Sequence, residues 1–255
     1  MWLETLPAFA AGHRVLAIDL PGFGSSPLPR EGISIGGYGD IVERFCATLD
    51  LDPVTIFGSS LGGWVAAEVA QRASGFPSGL VLVDAAGIVP TRPERWKALS
   101  LMEGAALMAP LAPRFRHSVA ARRKLRAMSL RYTIDDPAAL AADLVYMALP
   151  AAPDPGFRLA LTACRRGWSD AWCQRLGQIR CPTLVVWGAR DSLLPLRHGV
   201  QYADRIPGAQ LRVIAAAGHL PMIERPAEFN RLAIAFLTDS EASPPAAAAS
   251  AARAD

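Results

Sequence analysis

No apolar run in the chain reaches the roughly 18 residues that a membrane-spanning helix needs, so no integral membrane segment is expected. The amino terminus lacks a basic stretch ahead of an apolar one. Glu4 and Pro7 fall there instead, which excludes a secretory signal within it and makes the cytoplasm the expected compartment. Cysteine is scarce: Cys46, Cys164, Cys173 and Cys181 have neither metal-knuckle nor disulfide-framework spacing, so no metal, cofactor or covalent staple is expected. An excess of one charge is also missing. With 26 basic against 23 acidic residues the net charge is +3, and nothing global points to nucleic acid or membrane.

What is present is a chain of 255 residues, 51% hydrophobic, long enough for one sizeable core with an insertion. Short β-branched and apolar runs near residues 14–19, 54–57, 79–84, 183–187 and 211–215 predict strands, with helical segments between them. That alternation predicts an α/β fold with a mostly parallel sheet flanked by helices. From about 88 to 180 the alternation stops. Ala, Leu, Arg and Met dominate there, interrupted by prolines such as Pro90, Pro110, Pro137 and Pro153, which reads as a helical insertion. The expected division is therefore a core of 1–87 and 181–239, an insertion of 88–180, and a disordered Ala, Ser and Pro-rich tail of 240–255.

The most informative motif is Gly58-Ser59-Ser60-Leu61-Gly62, between the apolar run 54–57 and a helix-like stretch. A strand-to-helix turn this tight lifts the Ser60 hydroxyl clear of the sheet at the positive end of a helix, with flanking glycines giving the strained backbone room. A serine hydroxyl needs a positioned base. Of the four histidines, His13 precedes a strand, His198 falls in a helical stretch and His117 lies among arginines. His219, in Ala217-Gly218-His219-Leu220-Pro221 after the run 211–215, leaves a strand's carboxyl end and is the candidate base. Asp191, at the end of Val185-Val186-Trp187-Gly188-Ala189-Arg190-Asp191, is the candidate acid that orients it, with Asp84 after the run 79–83 as the second possibility. Trp64 and Trp187 read as core residues.

These motifs, together with Asp19-Leu20-Pro21-Gly22-Phe23-Gly24-Ser25-Ser26 and Glu224-Arg225-Pro226, resemble the α/β-hydrolase superfamily, in particular its capped serine esterase-like group, over residues 2–238. The resemblance implies a Ser60, Asp191, His219 triad, the Leu61 backbone N–H as one oxyanion donor, and a cap formed by 88–180. Met102, Leu107, Met108, Leu144, Met147 and Phe157 are candidates for the apolar underside of that cap, each equally readable as ordinary packing. The resemblance gives the Asp19 to Ser26 segment no chemistry beyond a turn. The sequence departs from the family ahead of 14–19, where a hairpin, a strand and a His-Gly loop carrying the second oxyanion donor are expected and missing. Met1 is accordingly expected to be an internal methionine of a longer polypeptide, with a gap left in the centre of the sheet.

A serine at the elbow, where halide-displacing and epoxide-opening relatives carry aspartate, implies acyl transfer on a small-molecule carboxylic ester. Carbon–carbon hydrolysis of ring-cleavage products is the nearest alternative, although that subgroup has tryptophan where Leu220 follows His219. A cofactor-free perhydrolase, an acyltransferase and a non-catalytic fragment of the fold complete the alternatives. One local feature stands apart. Between Arg114 and Arg131 there are seven basic residues and no acidic one, readable as a solvated helix face or as a surface for an anionic substrate or acidic head groups.

Overall fold

The computed structural model describes residues 1–29, 32–72, 76–108, 111–149 and 156–242. Four parallel strands, β1 (Thr55–Ser59), β2 (Gly79–Val83), β3 (Thr183–Gly188) and β4 (Gln210–Ile214), lie side by side in chain order. The helices are α1 (Leu6–Ala10), α2 (Ile35–Thr48), α3 (Leu61–Ala70), α4 (Arg92–Met108), α5 (Ala112–Ala121), α6 (Arg123–Leu130), α7 (Ala142–Ala148), α8 (Gly156–Gly167), α9 (Asp170–Gln174), α10 (Arg197–Arg205), α11 (Pro221–Glu224) and α12 (Pro226–Ala242).

Both faces of the sheet are covered, which is why β2 and β3 read as unbroken apolar runs. Side-chain alternation sends Leu80, Leu82, Val185 and Trp187 into a core shared with α2, α3, α9 and α10. Val81, Val83, Leu184, Val186 and Ile214 go to the opposite core, with Phe9 of α1 and Phe229, Ala233 and Phe236 of α12. Each such buried aliphatic side chain contributes roughly 1.5–3 kcal/mol of transfer free energy. Trp64 and Trp187 are completely buried, as their sequence context implies.

The expected strand at 14–19 is not formed. Residues 14–20 join no ladder, the sheet order ends at β1, and Leu16 and Ile18 are exposed. An extended apolar segment becomes a strand only when a neighbour takes up its N–H and C=O groups, and no described strand lies beside this one. The chain's end differs too. Helix α12 continues to Ala242, past the expected boundary at 239, and the rest of the expected tail lies outside the described residues.

Helices α4 to α9 fill the interval between β2 and β3, with no strand among the described residues there. Besides the apolar packing of α8 and α9 in the first core, polar contacts fasten them. Glu68 of α3, buried, accepts the Trp172 indole N–H at 2.7 Å and pairs with Arg72 and Arg175, so the insertion's last helix is fastened to the helix that begins at Ser60. At the other end the Glu94 carboxylate accepts both the N–H and the hydroxyl of Thr91, which caps α4 on one side. Glu94 also takes the Arg197 guanidinium of α10.

His198 lies under that contact, 1% exposed, with neither ring nitrogen hydrogen-bonded and Nε2 3.8 Å from Glu94. Burial, and then the charge of Arg197, push its pKa down to about 4, against a smaller upward pull from Asp191. The unfolded chain, where the imidazole titrates near 6.5, therefore binds this proton more readily. Stability should be fully present above about pH 6.5 and fall by roughly 3 kcal/mol as the pH drops toward 4. Urea melts of the parent and of His198→Asn across this range should show a steep acid limb for the parent and a flatter one for the variant. Equal limbs would assign the acid sensitivity to other groups.

Candidate active site

The parallel register brings several strand exits to one edge of the sheet. Ser59 of β1 is level with Val83 of β2, and Val83 with Val186 of β3. Ser60 leaves β1 at φ 52°, ψ −118°, a conformation rare for a residue with a side chain, and α3 starts at the next residue. Its N–H donates to Val83 C=O at 3.0 Å, and its C=O accepts from the N–H groups of Trp64 and Ala86. The Leu61 N–H is the first of α3, one of the amides that a helix leaves without an internal partner.

Room for this turn comes from glycines, but not the pair expected from the motif. A Cβ on Gly58 would lie 2.3 Å from the Gly62 carbonyl oxygen, and one on Gly63 would lie 2.5 Å from the Ala85 Cβ. Gly62 faces open space. The close approach is thus between the end of β1 and the first turn of α3, with Gly63 in the part expected of Gly62.

His219 and Asp191 are brought into direct contact. His219 Nδ1 and Asp191 Oδ2 are 2.7 Å apart, with both side chains buried. The remaining oxygen of Asp191 accepts the N–H groups of Leu193 and Leu194 at 2.8 and 2.9 Å, which fixes the carboxylate's orientation. Gly188 makes this convergence possible, since a Cβ there would lie 1.9 Å from the Gly218 carbonyl oxygen.

Asp84 comes to the same place without bonding to the imidazole. It is fully buried at φ 42°, and its Oδ1 accepts the Gly188 N–H at 3.0 Å, while Oδ2 has no hydrogen-bond partner. One ligand-capable atom from each of Asp84, Asp191 and His219 lies within 4.8 Å of the others. Burial first, and then the neighbouring Asp191 charge, raise the Asp84 carboxyl well above the ordinary carboxylate range, opposed by the Gly188 hydrogen bond. Two adjacent buried carboxyl groups avoid double ionisation by keeping a proton on one of them.

Sequence reasoning gave Glu224 no task, although its motif was visible. Its Oε1 accepts the N–H groups of Gly218 and Leu220, on either side of His219, and its Oε2 accepts the N–H of Asp135 from the insertion. Burial raises its pKa, with these three N–H groups opposing. His219 itself donates its backbone N–H to the Thr133 carbonyl at 2.9 Å. The signal for Glu224 was a carboxylate in the first turn of a short helix after the histidine loop, where unpaired amides collect. Nothing in the sequence marked Thr133, because its contribution is a backbone oxygen.

The Asp19 to Ser26 segment is a turn closed on itself, with Asp19 accepting from the Ser25 N–H and the Ser26 hydroxyl. The four cysteines are free thiols, and burial raises each of them, Cys164 to about 12.

Residues 1–232 match the family model described as the alpha/beta hydrolase family. The chain belongs to that family. As an α/β hydrolase it is 30% identical over 250 residues to an uncharacterized protein of Mycobacterium tuberculosis, a match covering 94% of this chain and 72% of the relative. It is 29% identical to a 2-hydroxy-6-oxononadienedioate/2-hydroxy-6-oxononatrienedioate hydrolase of Cupriavidus pinatubonensis, across 91% of this chain and 78% of that one. In fold it is similar to a thermophilic esterase from Thermogutta terrifontis, with a TM-score of 0.75, 22% identity, and coverage of 93% and 84% of the two chains.

The elbow geometry yields a paired expectation. Gly58→Ala should cost roughly 2–3 kcal/mol through overpacking against the Gly62 carbonyl. Gly62→Ala should be neutral or up to about 1 kcal/mol stabilising, as alanine is in a helix. Urea-unfolding midpoints of the two variants measure the difference, and similar midpoints would mean that the turn relaxes to admit the methyl group.

Proposed function

We propose that this α/β hydrolase cleaves small-molecule carboxylic esters through an acyl-enzyme, with Ser60 as nucleophile, His219 as base and Asp191 as its orienting acid. The observation that carries the reading is the buried 2.7 Å contact between His219 Nδ1 and Asp191 Oδ2, at the sheet edge where Ser60 leaves β1 in a strained turn. With Nδ1–H held by the carboxylate, Nε2 is the nitrogen left to accept the Ser60 proton. Serine then attacks the ester carbonyl, the Leu61 N–H donates to the developing oxyanion, and the imidazolium protonates the leaving alcohol. Water repeats the sequence to release the acid.

In this reading 88–180 is the cap, and its underside shapes the pocket. Support comes from the hydrogen bonds of Thr133 and Asp135 to the His219 loop and Glu224. Three of the residues named for that underside do not fit it, since Leu107, Met108 and Met147 are exposed. A second reading, carbon–carbon hydrolysis, is favoured by the similarity to the Cupriavidus enzyme and disfavoured by Leu220 after His219. Turnover of p-nitrophenyl esters against that of a ring-cleavage dienedioate separates the two.

The direct test is intact-mass labelling with a fluorophosphonate. One adduct is expected on the parent and none on folded Ser60→Ala; a folded parent that takes no label would point to a binding protein. Asp191→Asn should lower ester turnover by roughly 10⁴-fold, the scale of the equivalent change in a serine protease. Asp84→Asn should stay within a few-fold of the parent, because Asp84 makes no hydrogen bond to the imidazole and an amide oxygen can still accept the Gly188 N–H. The opposite ranking would transfer the acid's role to Asp84.

A further inference from the structure

The charged stretch noticed in the sequence falls on α5 and α6, and large apolar side chains are exposed among the cations. Along α6, Lys124, Met128 and Arg131 follow at i, i+4 and i+7 and share one helix face. Met128 is 69% exposed, and Arg131 lies over the Tyr132 ring at 4.5 Å. Along α5, Arg114 is exposed beside Phe115, which is 54% exposed, one turn beyond exposed Leu111. Arg122 and Arg123, at the junction of the two helices, are exposed as well.

The apolar members are not displaced core residues. The inner side of this helix pair has its own filling, with Ala120, Ile134 and Val145 buried, and Arg126 turned inward to the carbonyls of Ala120 and Ala138. Arg116 fastens α5 to α7 by donating to the Tyr146 carbonyl at 2.6 Å while lying 3.9 Å over its ring.

We propose that this face of α5 and α6 docks on an anionic lipid membrane surface. The proposal is independent of the reaction assigned above. Cations that reach head groups, together with Phe and Met side chains that enter the acyl boundary beside them, make up the chemistry of interfacial helices. A second copy of the chain is a poor occupant, because a two-fold contact would set this patch against itself, cation against cation. Nucleic acid would satisfy the cations but not Leu111, Phe115 and Met128.

Co-flotation of the purified chain with phosphatidylcholine vesicles, with and without phosphatidylglycerol, tests the proposal. Binding is expected only with phosphatidylglycerol and should weaken as added salt shortens the Debye length from about 10 Å toward about 3 Å. The double variant Lys124→Gln, Arg131→Gln should bind about 30-fold more weakly, given about fivefold per cation. Phe115→Ser with Met128→Ser should also weaken binding, by about tenfold. Circular dichroism checks that each variant is folded; should the serine pair fail to fold, the exposed cation pair still decides. The proposal is overturned by equal binding to both vesicle types, by no binding to either, or by binding that survives loss of the two cations. A dimer in sedimentation that the same substitutions dissolve, with no vesicle binding, would make the face a subunit interface instead.

Discussion

Close approach at the sheet's carboxyl edge is the constraint on which the site depends. Gly58 against Gly62, Gly63 against Ala85, and Gly188 against Gly218 are contacts that a single Cβ would block. Where they are allowed, the first turn of α3 sits against β1 and the histidine loop sits against β3. Ser60 and Asp84, two of the three non-glycine residues at positive φ among the described residues, leave adjacent strands there, which puts backbone strain where the candidate chemistry lies.

Asp84, Asp191 and His219 are buried at that edge, and the electrostatics follow from their burial. Asp191 uses both oxygens, one on two backbone N–H groups and one on His219, and Asp84 has only the Gly188 N–H. The carboxyl with fewer donors is the one that burial and its neighbour's charge push above the ordinary carboxylate range.

The insertion and the histidine loop are mechanically one unit. Glu224 takes N–H groups from both sides of His219 and from Asp135, while Thr133 takes the N–H of His219 itself. Movement of the 131–136 segment would therefore be felt at the candidate base. At the opposite attachment Glu68 links α9 to the helix headed by Ser60. The middle of the insertion and its last helix thus both reach elements that carry candidate catalytic residues.

The strands β1 to β4, their parallel direction, the burial of Trp64 and Trp187, and the positions of Ser60, Asp191 and His219 at strand exits were legible in the sequence, because each follows from local patterns of apolar runs and turn residues. The segment 14–19 had the same local pattern and formed no strand, since strand formation needs a partner that local pattern does not encode. The sequence ranked Asp191 ahead of Asp84 as the imidazole's partner, but the contact itself was beyond it. Both leave strands, and only the packing of the Gly188 and Gly218 backbones put one carboxylate 2.7 Å from Nδ1 and left the other without that contact. The sequence by itself determined which residues reach the edge; tertiary structure decided which of them touch, because hydrogen bonds between residues 28 or more positions apart depend on how separate strands are stacked.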